Sequence, residues 1–99
     1  MAFVIERLDR PDGGALRAHW RPAHLAWLRQ AYAARLIIAG PLLAAASGPD
    51  AASIGWLFLM DFTDRAAAEA FCAADPYARA GLFQSTLIRP WRQSFPGEC

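Results

Sequence analysis

Ile54-Gly55-Trp56-Leu57-Phe58-Leu59-Met60-Asp61-Phe62 is apolar at almost every position. A strand with one wet face alternates apolar and polar residues, whereas a nearly continuous apolar run is covered on both faces. The stretch therefore reads as a central strand. In a small monomer, helices on one face of a sheet leave the other face wet, so the second face of this strand calls for a partner subunit. A chain of 99 residues buries only a modest fraction of its surface, and association with a copy of itself is a plausible route to more burial.

Outward from that strand, the elements alternate. Phe3 to Leu8 is rich in β-formers and predicts a strand. Asp9 to Gly14 is a loop with strong turn chemistry. Ala15 to Trp20 reads as a short helical lead-in. Pro22 suits the first helical position, so a helix is expected from Pro22 to about Ala34. Trp20, Ala23, Trp27, Ala31 and Ala34 recur at helical spacing as its buried stripe, and Leu25, Leu28 and Tyr32 form a second patch to one side. Leu36 to Ala39 is a strand that Gly40-Pro41 interrupts, since proline is confined to edges and bulges. Ala44 to Ser53 is a small-residue loop containing Ser47-Gly48-Pro49-Asp50.

After the central strand, Thr63 or Asp64 caps a helix from Arg65 to about Ala74, packed through Ala67, Ala70, Phe71 and Ala74. Asp75 followed by Pro76 is a cap and first-turn signature, and Gly81 suits the position just past a single helical turn. Leu82 to Phe95 holds the last strand, with Leu87, Ile88 and Trp91 as core candidates. The chain reads as one domain over residues 1–99, with 96–99 a tail. No internal repeat is present.

The order β-α-β-β-α-β is that of a ferredoxin-like α+β fold, an antiparallel sheet with two helices on one face. If the first strand runs up, the first helix runs down and the second strand up. The third strand then runs down, the second helix up and the fourth strand down. The start of the first helix and the end of the second meet at one end of the sheet, where Gly40-Pro41 also arrives. Arg21, His24, Gly40, Pro41, Asp75 and Tyr77 converge there.

Bulk properties exclude several functions. Ten basic and nine acidic residues leave a formal charge of +1, which argues against nucleic acid or an anionic membrane as the main partner. All basic residues other than histidine are arginine, so lysine Schiff-base chemistry is excluded. Cys72 and Cys99 show no paired spacing, Cys72 reading as a small apolar packing residue. The N-terminus lacks a signal-peptide pattern, and no apolar run approaches the ~20 residues of a membrane helix. A cytoplasmic protein is expected, with no metal and no cofactor, since two histidines and scattered acids make no ligand pattern.

At the convergent end, His24 would lie in a helical first turn, where amide dipoles favour the neutral imidazole that a general base needs. Asp75 would bond one ring nitrogen and leave the other to move a proton. Arg21 would hold an anionic oxygen of the substrate, and Trp20, Trp27 and Tyr77 would line an aromatic pocket. Each has a plainer reading. His24 can be a partly buried helix histidine, Asp75 a cap, Arg21 a solvated surface group, and the tryptophans core or dimer contacts. Tyr77 can plug its loop, and His19 projects to solvent.

Arg21-Pro22-Ala23-His24-Leu25-Ala26-Trp27-Leu28, then Ala39-Gly40-Pro41, then Ala74-Asp75-Pro76-Tyr77 with Ala80-Gly81-Leu82, then Arg89-Pro90-Trp91, together resemble the YCII-related (YciI-like) proteins. The resemblance covers Phe3 to about Phe95. It implies a dimeric α+β barrel with two sheets face to face, and a histidine–aspartate active site carried by His24 and Asp75. Some relatives are dehydrochlorinases of chlorinated hydroxyhydroquinone-type aromatics, and similar barrels include lactone isomerases and small monooxygenases. The expectation is a small homodimeric enzyme doing elimination or isomerisation on a small aromatic or enolisable substrate. Trp20, Arg21, Gly40, Pro41 and Tyr77 would serve as its substrate contacts. The alternative is a non-catalytic module of the same fold that binds a small molecule or a partner.

Overall fold

The structure, a computed structural model, describes residues 1–44, 48 and 51–97. Most of the expected loop from Ala44 to Ser53, and Cys99 in the tail, lie outside the described residues. The elements are β1 (Ala2–Asp9), α1 (Gly14–Trp27), a π-helical turn (Leu28–Tyr32), a 3-10 turn (Ala33–Arg35), β2 (Leu36–Leu43), β3 (Ser53–Asp61), α2 (Arg65–Ala74), α3 (Pro76–Arg79) and β4 (Phe83–Trp91). The sheet order is β2-β3-β1-β4, and all neighbours are antiparallel. This is the ferredoxin-like order expected from the sequence.

One sheet face packs on the helices. Phe3 and Ile5 of β1, Trp56, Phe58 and Met60 of β3, and Ile88 of β4 point toward it. Phe71 of α2 sits at the centre, stacked on Trp27 at 5.0 Å and met edge-on by Tyr32 and Phe58 at 4.8 and 5.2 Å. The α2 cap is Asp64, whose carboxylate accepts from the Ala67 amide at 2.9 Å. The α2 side buried against the sheet is Ala68, Phe71 and Cys72; Ala70 and Ala74 are exposed.

The other sheet face is apolar and bare in the single chain. Leu57 and Leu87 are 41% and 45% exposed, and Ile38 is 64% exposed. Leu87 and Trp91, expected in the core, instead stand on this open face, because the β4 register turns Ile88 inward.

Two boundaries differ from expectation. The first helix starts at Gly14, so the lead-in and the helix are one element and Pro22 lies inside it. An interior proline costs about 3 kcal/mol, and packing on both sides of it offsets that cost: Leu16 and Arg17 before, His24 and Leu28 after. The inward face is consequently the buried His24 and Leu28 with the half-buried Arg17, flanked by Leu25, Trp27 and Tyr32, whereas Trp20, Ala23, Ala31 and Ala34 are exposed. Periodicity counted on apolar residues missed this face because two of its members are polar. The second difference is β2, which runs straight through Gly40-Pro41. It is an edge strand, where the missing proline N–H removes no ladder bond that the sheet needs.

Candidate active site

α1, β3 and α3 meet around one imidazole. His24 lies in the last turn of α1, not its first, so the helix N-terminal dipole does not act on it. Asp75 is the hinge between α2 and α3: its extended backbone ends one helix and its side chain caps the next. Its Oδ1 accepts from the Tyr77 amide at 2.9 Å and also contacts His24 Nδ1 at 2.9 Å. Capping and pairing thus both occur, and on the same oxygen. Gly81, at φ +80°, closes the α3 turn with the left-handed residue that glycine supplies without strain.

His24 and Asp75 have no exposed surface. Tyr77 stacks on the imidazole with centroids 4.2 Å apart and planes 18° off parallel, and Trp56 lies at 4.8 Å. An ionised carboxylate only accepts hydrogen bonds, so against it Nδ1 carries a ring hydrogen, and in the neutral imidazole Nε2 is then the bare nitrogen. His24 Nε2, Trp56 Nε1, Asp75 Oδ2 and the Tyr77 hydroxyl are all buried without a hydrogen-bond partner among the described residues. Unpaired buried polar atoms are costly and rare, so four in one cluster of side chains call for an explanation.

Arg7 is the cation of the site. Its side chain is 6% exposed, and Nη1 lies 3.6 Å from Asp75 Oδ2. Nη1 donates to the Cys72 carbonyl at 2.9 Å and Nε to Thr86 Oγ1 at 3.0 Å. Burial lowers the Arg7 pKa, against the opposing pull of Cys72 and Asp75. Burial pushes the Cys72 thiol up, and it pushes the Tyr77 phenol up too, despite the charges of Arg17 and Arg21. Arg17 forms a bidentate pair with Asp9 at 2.6 and 2.9 Å and lies over the Tyr77 ring at 5.2 Å, which ties α1, β1 and α3 together.

The structure brings His24, Asp75 and Tyr77 into contact. Arg21 is exposed and bonds to none of them. Trp20 lies outside the ring cluster; it lines a depression of about 460 Å³ with Arg79, Ala80 and the chain neighbours of His24 and Asp75, Ala23 and Pro76. Pro41 pairs with Trp56, while Gly40 pairs with Leu57. Both line a hollow with Leu57 and Leu59 on the open sheet face, away from His24. Trp27 packs on Phe71 in the core. His19 is exposed, as expected.

Sequence reasoning missed Arg7, Trp56 and Arg17. A signal for Arg7 was present: Phe3, Ile5 and Arg7 share one strand face, so a cation stands where the alternation asks for an apolar residue. Among the described residues no three His, Cys, Asp or Glu side chains gather as metal ligands, and no helix is long and apolar enough to cross a membrane.

The YCII-related domain matches residues 1–92. "Protein YciI" of Escherichia coli is 37% identical over 98 residues, covering 96% of this chain and all of that protein. An uncharacterised protein of Haemophilus influenzae is 33% identical over the same coverage. Among solved structures, 5-chloro-2-hydroxyhydroquinone dehydrochlorinase from Burkholderia phenoliruptrix, in complex with 2,5-dihydroxybenzoquinone, superposes with a TM-score of 0.89. It is 33% identical, with 95% of this chain and 96% of that one covered.

Proposed function

The chain belongs to the YCII-related domain family, and on that footing we propose that it is a small homodimeric, cytoplasmic enzyme of acid–base chemistry. Its substrate class is a small aromatic or enolisable molecule, and its reaction an elimination, such as loss of HCl, or an isomerisation. The observation that carries this reading is the His24 ring held through Nδ1 by Asp75 while Nε2 is buried and unpartnered. In that arrangement Nε2 takes a proton from a substrate hydroxyl or its carbon tautomer. Asp75 stabilises the imidazolium as it forms. In dehydrochlorination the electron pair released toward the ring expels chloride, so one proton and one chloride leave and no electrons are exchanged with a second reactant. The Trp56 N–H and the Tyr77 hydroxyl are the free donors beside the imidazole for a developing oxyanion. The dehydrochlorinase of similar fold supports the substrate class. The bare apolar sheet face supports the dimer.

The complete burial of His24 favours a second reading, in which the pair is a structural hydrogen bond in a non-catalytic module that binds a small molecule. Chloride release from 5-chloro-2-hydroxyhydroquinone and related chlorinated phenols separates the two. The enzyme reading expects turnover by the parent and a loss of about 100-fold or more in His24→Ala with its circular dichroism intact. Undiminished turnover in that variant overturns it. The module reading expects a lowered melting temperature in His24→Ala and no turnover in either protein.

A further inference from the structure

Arg7 occupies an inward strand position on the face that Phe3 and Ile5 bury, and its guanidinium is almost fully enclosed. Nε and Nη1 are bonded to Thr86 and the Cys72 carbonyl, the planar face lies over Phe83 at 4.2 Å, and Nη1 faces Asp75 Oδ2 at 3.6 Å. Gly55 of β3 lets the backbone close in at this point, since a Cβ there would collide with the Arg7 carbonyl oxygen.

A charge this deep has to be balanced. Asp75 is the carboxylate in ion-pair range of Arg7, and it is also the partner of His24. We propose that Arg7 is a positioning residue for the His24–Asp75 pair: its charge neutralises Asp75 and leaves His24 as the neutral imidazole with Nδ1–H bonded and Nε2 bare. The inference rests on the reading of the pair as a proton-moving site and adds the reason why the base is free to work. Without Arg7 the enclosed Asp⁻–His⁰ pair would carry a net negative charge, which raises its affinity for a proton. With Arg7 present the trio Arg⁺, Asp⁻, His⁰ is neutral, and a further proton would leave a net positive charge enclosed in the core.

Among the described residues no other group facing the imidazole supplies that balance. Tyr77 is a phenol kept neutral by burial. Arg17, beyond the Tyr77 ring, is already paired with Asp9. Arg21 is exposed to solvent, and Trp27, Trp56 and Phe58 are uncharged. Cys72, near Arg7, is held as a thiol by burial.

The test is the ring ¹⁵N spectrum of His24 at pH 7, with the Asp75 side-chain ¹³C signal, in the parent, Arg7→Lys and Arg7→Met. Exposed His19 serves as the internal reference. The parent and Arg7→Lys are expected to show one protonated and one bare ring nitrogen, with the proton on Nδ1. Arg7→Met is expected to show one proton gained by the pair, read as imidazolium or as a protonated carboxyl group. A parent ring already doubly protonated at pH 7 overturns the proposal, even if the Met variant fails to fold. So does an Arg7→Met protein that folds with the parent's spectrum. Turnover is not read, so a failed catalytic assignment and a failed role for Arg7 are distinguishable.

Discussion

His24 and Asp75 share a contact 51 residues apart in the chain, both without exposed surface, and aromatic rings surround His24. The pair is expected from element order together with the family resemblance, although that order assumes His24 in the first turn of its helix and the structure places it in the last turn of α1. Arg7 could not be foreseen in the same way, because a run of β-formers hides which of its members face inward until the sheet is built. Tyr77 shows what the local environment costs. Its ring stacks on His24, but its buried hydroxyl has no partner. Tyr77→Phe keeps the stack and removes that hydroxyl, so its stability to urea is expected to equal or exceed the parent's, by up to about 1–3 kcal/mol. If the hydroxyl holds the substrate, turnover falls in the same variant. A Phe variant that is markedly less stable would mean the hydroxyl is bonded after all.

At the scale of elements, β3, α2 with its Asp64 cap and the Asp75-Pro76 turn could be read directly, because capping and turn chemistry are local. The first helix was misplaced because Pro22 looks like a start signal, and only the packing of Leu16 and Arg17 shows that the helix precedes it. The start of β1 carries an exposed ion pair, the N-terminal ammonium on Asp61 of β3 at 2.8 Å. That hydrogen bond and charge lower the Asp61 pKa below its ordinary 3.8. A carboxylate depressed on folding adds stability above its ordinary pKa and loses it as pH falls through the depressed one. Asp61→Asn is therefore expected to melt slightly below the parent at pH 7, with the gap closing below pH 3.8. Equal melting points at pH 7 would show that the pair, exposed as it is, adds nothing.

For the molecule as a whole, the central question is the bare sheet face. Leu57, Leu59, Leu87 and Ile38 lie on it, and a second copy laid face to face would cover all four. This was legible in the unbroken apolar run of β3, whose alternate residues need two covers. The side of α1 that meets the sheet was not, because Arg17 and His24 break the apolar count there. Sedimentation at micromolar concentration is expected to give twice the 10.8 kDa chain mass, and Leu57→Glu is expected to shift the protein toward monomer by placing charge in the apolar contact. A monomeric parent would remove the support that this face gives to the dimer.

The central claim is that His24 and Asp75 move a proton as one unit, and a double-mutant cycle on turnover tests it most directly. Chloride release from 5-chloro-2-hydroxyhydroquinone is measured for the parent, His24→Ala, Asp75→Asn and the double variant. Residues that act together are non-additive, so each single change is expected to cost about 100-fold or more, and the double variant little beyond His24→Ala alone. Losses that multiply, or a folded His24→Ala protein that turns over like the parent, would contradict the account.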